Sequence, residues 1–301
     1  MNKKEFGATI CIFLTALIWG VAFTFQLVGM DTMGPFTYNG VRFLIGTASL
    51  IPVILVLDRK LPDRQESRAL LKYGLLCGGV LFAGSNIQQV GLLMTNSAGK
   101  AGFITALYII MVPIFSAFGG KRPGALLWVG AALSMVGIYL ISMKEGFGSF
   151  SLGDGLLLTG AVFFSLHIIV VDISVAKVSS PVKLSFMQFF ICGALTTAIA
   201  AFGEEITFAG LKGGIVALLY GGIMSAGVAY TLQVVGQKYV PPTRAAILFS
   251  LEALFGVVGA AVLIGETMTL RGYVGCAFIF AGVIISQLRI GTGKDAGKKA
   301  G

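Results

Sequence analysis

Residues 243–264 read TRAAILFSLEALFGVVGAAVLI, a run of about twenty mostly apolar residues that is long enough to cross a bilayer as a helix. Glu252 lies near the middle of this run. A charged side chain at that depth costs about 2.5–3.5 kcal/mol on insertion scales, so it usually faces a cavity or a partner group. The stretch therefore predicts a membrane protein with a functional site at Glu252.

An earlier stretch, GKAGFITALYIIMVPIFSAFGG at residues 99–120, repeats this pattern about 144 positions upstream. When the two stretches are superposed at that spacing, three pairs match: Ala101 with Ala245, Leu107 with Leu251, and Tyr108 with Glu252. The repeat is the first indication that the chain is duplicated.

Composition places the whole chain in the membrane. Of its 301 residues, 56% are hydrophobic and only 12% are charged, whereas a soluble domain carries about 25% charged residues. The 42 glycines agree with this class, because glycine lets membrane helices approach closely. The lipid bilayer is thus a predicted partner. The net charge of +9 comes from basic residues in the loops, so we attribute it to the orientation of the chain in the membrane and predict no nucleic acid partner.

Cysteine and histidine usage predicts neither a disulfide nor a metal site. The chain has one histidine and four isolated cysteines, which lie inside separate apolar runs at Cys11, Cys77, Cys192 and Cys276. The C-terminal GTGKDAGKKAG lacks the GxxxxGK[ST] spacing and follows no strand. We therefore predict no bound cofactor, and we interpret residues 291–301 as a disordered basic tail.

Apolar runs of roughly 20–24 residues recur ten times, which predicts ten spanning helices. We name them spans one to ten in chain order; the predicted ranges are 7–27, 34–57, 71–93, 98–118, 124–143, 153–172, 181–202, 213–235, 243–264 and 270–289. The basic N-terminus resembles a signal peptide, but no small-residue cleavage site follows, so we interpret it as span one.

Basic residues predict the orientation of the chain. If the N-terminus is cytoplasmic, the inner segments hold 17 Lys and Arg residues and the outer segments hold 4, with Arg42 embedded in span two. Such an excess marks the cytoplasmic side, so both termini are predicted to be cytoplasmic.

The second half repeats the first, which predicts repeats at residues 1–145 and 146–290. Five spans per repeat is an odd number, so the repeats must have opposite orientations, related by a pseudo-two-fold axis in the membrane plane. That all-α arrangement is characteristic of secondary transporters, whose substrate site lies near the midplane between repeats. The matching motifs are Gly130 with Gly275, Gly137 with Gly282, Ala83-Gly84 with Ala226-Gly227, Gln89 with Gln233, and Pro35 with Pro181.

These features together resemble the drug/metabolite transporter superfamily, specifically its ten-helix EamA-type members. The residues that carry the resemblance are Ile18-Trp19-Gly20, Pro35 to Arg42-Phe43, Leu251-Glu252, Ile264-Gly265-Glu266, and Gly275 to Gly282. The chain departs from the family pattern at Ala253, where proline is frequent, and at Lys121-Arg122 in the first repeat. The resemblance implies a transporter of the bacterial cytoplasmic (inner) membrane. Such proteins often export amino acids, related metabolites or small toxic organic compounds. An importer or exchanger of a nucleoside- or vitamin-like metabolite is the alternative.

Pseudo-symmetry selects the candidate site residues, because equivalent positions that line a central site should approach the axis in pairs. Pairs with a polar or charged member far from either membrane face are the candidates. The predicted substrate-binding residues are Trp19, Arg42, Asn86, Gln89, Tyr108, His167, Gln188, Tyr230, Gln233 and Glu252.

Each candidate also has a purely structural interpretation. Polar side chains in membrane helices often only bond a neighbouring helix, which contributes about 0.6 kcal/mol each. Trp19 can pack between helices, and His167 is either a proton carrier or a packing residue. Arg42 and Glu252 can form a structural ion pair instead of lining a polar cavity. All these alternatives stay open at the level of sequence.

Among functions, a secondary transporter working by alternating access fits best, driven by the solute gradient or by protons through Glu252. A membrane enzyme would need a catalytic cluster at a membrane face, and the single histidine is embedded, so we predict that the protein is not an enzyme. A channel is the third alternative. One embedded cation, one embedded anion and several aromatic residues suit a small zwitterion or an aromatic amphiphile. Spans five and ten are interpreted as packing helices, and the oligomeric state is left between monomer and homodimer.

Overall fold

The computed structural model describes residues 3–120, 123–143, 150–256 and 269–288. Within these ranges the chain is helical, without a β-strand, and nine helices are long and apolar enough to cross a membrane. Predicted span nine is described as far as residue 256 and is helical on both sides of Ser250. The predicted repeat boundary at 145/146, the basic pair Lys121-Arg122, Glu266 and the tail 291–301 lie outside the described residues.

The first repeat contains spans one to five. Their helices are Lys3–Gly20 and Ala22–Met30 in span one, Pro35–Leu57 in span two, Arg64–Thr95 in span three, Ala98–Thr105 and Tyr108–Phe118 in span four, and Ala125–Ser142 in span five.

The second repeat contains spans six to ten. Its helices are Leu152–Val175 in span six and Pro181–Gly203 in span seven, followed by the short Phe208–Gly213. Span eight comprises Ile215–Leu219, Tyr220–Tyr230 and Thr231–Gln237; span nine comprises Pro242–Phe249 and residues 251–256; span ten is Leu270–Gln287.

Span three begins seven residues earlier than its apolar run predicts. The Asp63 side chain accepts a hydrogen bond from the backbone N–H of Glu66, which caps the helix before Arg64. The polar first turns therefore extend beyond the apolar segment, because a good cap, rather than hydrophobicity, sets the start of a helix.

The two repeats pack on each other with pseudo-two-fold symmetry. A Cβ atom added to Gly78 in span three would lie 3.0 Å from the Gln188 carbonyl oxygen in span seven. At the equivalent place in the other half, a Cβ atom on Gly222 in span eight would lie 3.0 Å from the Arg42 carbonyl oxygen in span two. Equivalent glycines thus make the same backbone contact, and they permit the close approach of helices that membrane packing requires.

Spans five and ten form a second tight pair. A Cβ on Gly137 would lie 2.5 Å from the Gly275 carbonyl oxygen, and a Cβ on Gly282 would lie 2.5 Å from the Gly130 carbonyl oxygen. These four glycines bring the two helix backbones together, which agrees with the interpretation of spans five and ten as packing helices.

Two spanning helices are broken at equivalent positions. Span four stops at Thr105 and resumes at Tyr108, while span nine stops at Phe249 and resumes after Ser250. Each break contains a tightened turn, with Ile109 N–H bonding the Ala106 carbonyl and Ala253 N–H bonding that of Ser250. Discontinuous helices of this kind form midplane substrate sites in transporters with inverted repeats.

Span eight differs from its counterpart, span three, in its winding. Residues Tyr220–Tyr230 form a π-helix, whereas span three is α-helical throughout Arg64–Thr95. Side chains of span one donate to carbonyl oxygens of this stretch: the Thr15 hydroxyl bonds Ala229 at 3.0 Å and the Trp19 indole bonds Ser225 at 3.3 Å. A π-helical segment is uncommon and often accompanies a functional site.

Candidate functional site

A cavity lies between the two repeats, close to the helix breaks. The space between its wall atoms is about 560 Å³, including the part that opens to solvent. Seven of the ten predicted residues line it: Trp19, Arg42, Tyr108, His167, Tyr230, Gln233 and Glu252.

Glu252 and Tyr108, which are equivalent in the two repeats, contact each other across the pseudo-two-fold axis. The Tyr108 hydroxyl donates to Glu252 Oε1 at 2.9 Å. Each residue follows the break in its own span, so the interrupted backbone brings both side chains to the centre of the protein. The Glu252 side chain is buried, at 7% exposure, and this phenol is its hydrogen-bond partner.

Arg42 is held on the cavity wall by a relay of neutral amides. Its Nε donates to Asn39 Oδ1 at 2.8 Å, and Asn39 Nδ2 donates to Asn86 Oδ1 at 2.9 Å. Asn86 Nδ2 in turn donates to the Phe82 carbonyl at 2.8 Å and to the Thr196 hydroxyl at 2.7 Å. A backbone carbonyl can only accept, so it sets the direction of every bond in the relay.

Arg42 carries its charge without a carboxylate partner among the described residues. It is 2% exposed, and its guanidinium carbon lies 4.6 Å from the centre of the Phe43 ring. No ion pair joins it to Glu252, although both side chains line the same cavity. The structural ion pair considered from the sequence is therefore absent from this conformation, and the two charges are separate features of the wall.

Aromatic rings make up much of the remaining wall. The Trp19 ring lies 4.6 Å from that of Tyr230 and 5.3 Å from that of Phe249, between centroids. Phe249 is in turn 6.5 Å from Tyr108, in an edge-to-face arrangement. The rings extend from the neighbourhood of Glu252 towards span seven and present both an apolar surface and ring faces that attract cations.

The other three predicted residues lie behind the wall. Asn86 belongs to the Arg42 relay, and Gln188 accepts a hydrogen bond from His167 Nε2 at 2.9 Å. Gln89 is fully buried, and neither atom of its amide has a partner in the described part of the chain. Their roles in substrate binding stay predictions.

Sequence reasoning missed four polar residues of the wall, which are Gln26, Gln88, Thr105 and Ser225. Gln88, adjacent to Gln89, lines the cavity and donates to the Thr105 hydroxyl at 2.9 Å. Gln26 in span one also lines it, and no described group bonds its Oε1 atom. A signal for Gln88 was present in the sequence, because its pair with Leu232 at the 144-residue spacing has one polar member and so meets the pairing criterion.

Carboxylates hold spans two and seven together at both ends. Glu204, after span seven, accepts from the backbone N–H groups of Phe36 and Thr37 at 2.9 and 2.7 Å. Its equivalent Asp58, after span two, accepts from the Ser180 hydroxyl and from Lys183. Partial burial raises the pKa of Asp58, but the bonds from Ser180 and Lys183 outweigh it and hold the pKa below its usual value.

Comparison with known proteins agrees with this architecture. The chain is 32% identical over 288 residues to a transporter of Archaeoglobus fulgidus, covering 95% of this chain and 88% of the relative. It is 23% identical over 286 residues to the inner membrane transporter YedA of Escherichia coli K12, covering 94% and 90%. A solved crystal structure superposes with a TM-score of 0.78 at 20% identity, covering 93% of this chain and 96% of the other.

The profile of the EamA-like transporter family matches the chain twice, over residues 7–143 and 151–288. The two matches correspond to the two halves that pack with pseudo-two-fold symmetry, and the family agrees with the resemblance drawn from the sequence. The relatives are named as transporters. This multi-pass membrane protein is a member of the EamA-like transporter family.

Proposed function

We propose that the chain is a secondary transporter that exports a small amphoteric organic molecule through the central cavity by alternating access. The observation that carries the proposal is a cavity between inverted repeats whose wall holds a carboxylate, Glu252, and a guanidinium, Arg42, that are not paired with each other. A buried charge is costly unless it is paired. A ligand that brings a cationic and an anionic group would compensate both.

The polar groups of the wall would bind the two ends of the ligand at different positions in the cavity. The carboxylate of a zwitterion would meet Arg42, whose Nε is fixed by Asn39 so that the remaining N–H groups of its fork are available. The ammonium group would meet Glu252 and the ring faces of Trp19 and Tyr230. The apolar part of the ligand would lie against the aromatic wall.

Coupling to protons would use the same carboxylate. Glu252 would bind either a proton or the ammonium group of the ligand, so that one leaves as the other enters. Tyr108 would hold the carboxyl group in place in both conditions, since its hydroxyl can donate to either form. Export would then be driven by the inward proton gradient.

Export also requires the orientation that the basic residues predict, with both termini in the cytoplasm. Reporters fused after Gly301 and within residues 59–63 should give cytoplasmic signals, and one within residues 145–152 should give an outside signal. A periplasmic signal from the C-terminal fusion would contradict the orientation and the direction of transport derived from it.

Binding and transport can be tested separately. Purified protein should be screened by thermal shift against amino acids, polyamines, nucleosides and toxic organic cations, because a ligand that binds the folded state raises the melting temperature. Hits should then be assayed by counterflow in proteoliposomes. The proposal predicts hits among zwitterions and counterflow that saturates; the absence of both from every class would contradict it.

A further inference from the structure

Gln233 presents an unbonded carbonyl oxygen to the cavity. Its side chain is 1% exposed and lines the cavity wall. Its Nε2 donates to Gln237 Oε1 at 2.9 Å, whereas its Oε1 is buried and has no hydrogen-bond partner among the described residues. A buried acceptor without a donor is unfavourable. Because the residue lies on a cavity wall, its oxygen can accept a hydrogen bond from a bound ligand.

Gln237 determines which atom of Gln233 faces the cavity. Gln237 is 2% exposed and lies one helical turn further along span eight, where its Nε2 donates to the Ile168 carbonyl in span six at 2.8 Å. Because a backbone carbonyl can only accept, Gln237 must direct its nitrogen at Ile168 and its oxygen at Gln233. Gln233 must then use its nitrogen for that bond, since the opposite amide orientation would place two oxygens against each other.

The cavity wall that Gln233 lines holds other acceptors, in addition to the donor Arg42. Glu252 contributes a carboxylate, and Gln26 contributes a second amide oxygen without a partner in the described residues. An alkylammonium group carries three N–H donors and a positive charge, which matches a wall of this kind. A quaternary ammonium group has the charge but no N–H, so it would leave the Gln233 oxygen unbonded.

The geometry points to Gln233 Oε1 as the acceptor for an N–H of a primary ammonium group on the transported molecule, with Gln237 as the positioning residue that fixes the direction of the amide. The inference rests on the proposed function, since it assigns a role within the same cavity. It adds a selectivity: the site discriminates primary from quaternary amines, which charge and aromatic contacts alone do not.

Gln287 offers a matched control. It is the last residue of the helix of span ten, and it does not line the cavity. Replacing either glutamine by methionine removes an amide from a spanning helix and conserves the length of the side chain. Only the Gln233 change should alter recognition.

The test compares phenylalanine with its N,N,N-trimethyl derivative as probes, which both keep the carboxylate, using dissociation constants from equilibrium binding to the purified full chain. We expect the parent protein and Gln287→Met to prefer the primary amine by tenfold or more. The preference should disappear in Gln233→Met and shrink in Gln237→Met, where the amide is free to rotate. An equal affinity of the parent for both probes, failure to bind phenylalanine, or an unchanged preference in Gln233→Met would overturn the inference.

A double-mutant cycle tests the relay without any ligand. The losses of melting temperature in Gln233→Met and Gln237→Met should not add in the double variant, because the two residues act through one hydrogen bond. Additive losses would overturn the positioning role of Gln237. These outcomes are separate from those of the proposed function: saturable counterflow of a zwitterion with no amine selectivity would refute this inference alone, and amine binding without counterflow would refute transport alone.

Discussion

The two repeats share a backbone plan but carry different side chains at the positions that meet in the centre. Span four and span nine are both interrupted just before the residue that reaches the pseudo-two-fold axis. That residue is Tyr108 in one repeat and Glu252 in the other, and the two are hydrogen-bonded. Duplication thus supplies the interrupted helices, and divergence at one position supplies a titratable group. The chemical character of the cavity wall therefore depends on a position at which the two repeats carry different residues.

Spans three and eight extend the comparison. In span three, an α-helix, Gln88 faces the cavity and Gln89 does not; in span eight, after the π-helical stretch, the equivalent of Gln89 does. A π-helical turn contains more residues than an α-helical turn, so the side chains after it point in a different direction. The same glutamine is therefore buried without a partner in one repeat and part of the cavity wall in the other.

The largest expected effect comes from replacing Glu252, the titratable residue on the pseudo-two-fold axis. Glu252→Gln conserves shape but removes the charge and the titratable proton, so proton-driven transport should fall by about 30-fold or more, since losing one partner of a buried charge interaction costs about 2–5 kcal/mol. Solute exchange without a gradient should be affected less. Transport in proteoliposomes with and without a proton gradient measures both.

Tyr108→Phe is the control for that change, because it removes the hydrogen bond to Glu252 and leaves the carboxylate in place. It should retain proton-driven transport with a loss of a few-fold, since one such bond contributes about 1 kcal/mol. Equal losses in the two variants would contradict the special role of the carboxylate.

Glycines at equivalent positions should respond equally to substitution. In both Gly137→Ala and Gly282→Ala the new Cβ would lie 2.5 Å from a carbonyl oxygen of the facing helix. Overpacking of this kind costs about 1–3 kcal/mol, so both variants should melt several degrees lower in detergent. Gly7→Ala is the control, because nothing lies within 4 Å of its added Cβ. A loss in only one of the pair would show that the repeats do not share this contact.

Aromatic residues of the wall should affect transport more than stability. Trp19→Ala removes ring contacts to Tyr230 and Phe249, each of which contributes about 0.5–1.5 kcal/mol. If the ring also contacts the ligand, transport should fall about tenfold or more while the melting temperature changes by a few degrees. Phe163 lies 144 positions after Trp19, which is the repeat spacing, and it does not line the cavity. Phe163→Ala should therefore leave the affinity for the ligand unchanged. A melting-temperature loss that accounts for all of the transport loss would favour helix packing as the role of Trp19.

The smallest effect concerns the ends of spans two and seven. The lowered pKa of Asp58 means that its ionised form is stabilised by folding. Its contribution is present at neutral pH, above the ordinary value of 3.8, and is lost as the pH falls through the lowered pKa of the folded protein. Asp58→Asn should therefore reduce the free energy of unfolding at pH 7 by less than about 1 kcal/mol, which lowers the melting temperature slightly. The difference from the parent should vanish in acid. A constant difference down to the lowest accessible pH would contradict an electrostatic role.

Most of the fold is predictable from the length of apolar runs and the period of the duplication. The bilayer requires each spanning segment to be about twenty apolar residues, so nine spans are recognisable one by one in the described residues. The odd number of spans per repeat then implies the inverted arrangement. Embedded charges at Arg42 and Glu252 are recognisable as candidate site residues for the same reason, because hydrocarbon makes an unpaired charge expensive wherever it occurs.

The rest depends on packing between helices that are far apart in sequence. No local pattern predicts the π-helix at Tyr220–Tyr230, since two of its carbonyl groups accept hydrogen bonds from side chains of span one. The breaks at Ala106 and Ser250 are closed by local turns, but we recognised no signal for them in the sequence. The direction of the Gln233 amide depends on a carbonyl 65 positions earlier, that of Ile168. Which polar atom a side chain directs at a cavity depends on its hydrogen-bond network, and only the folded arrangement of the two repeats creates that network.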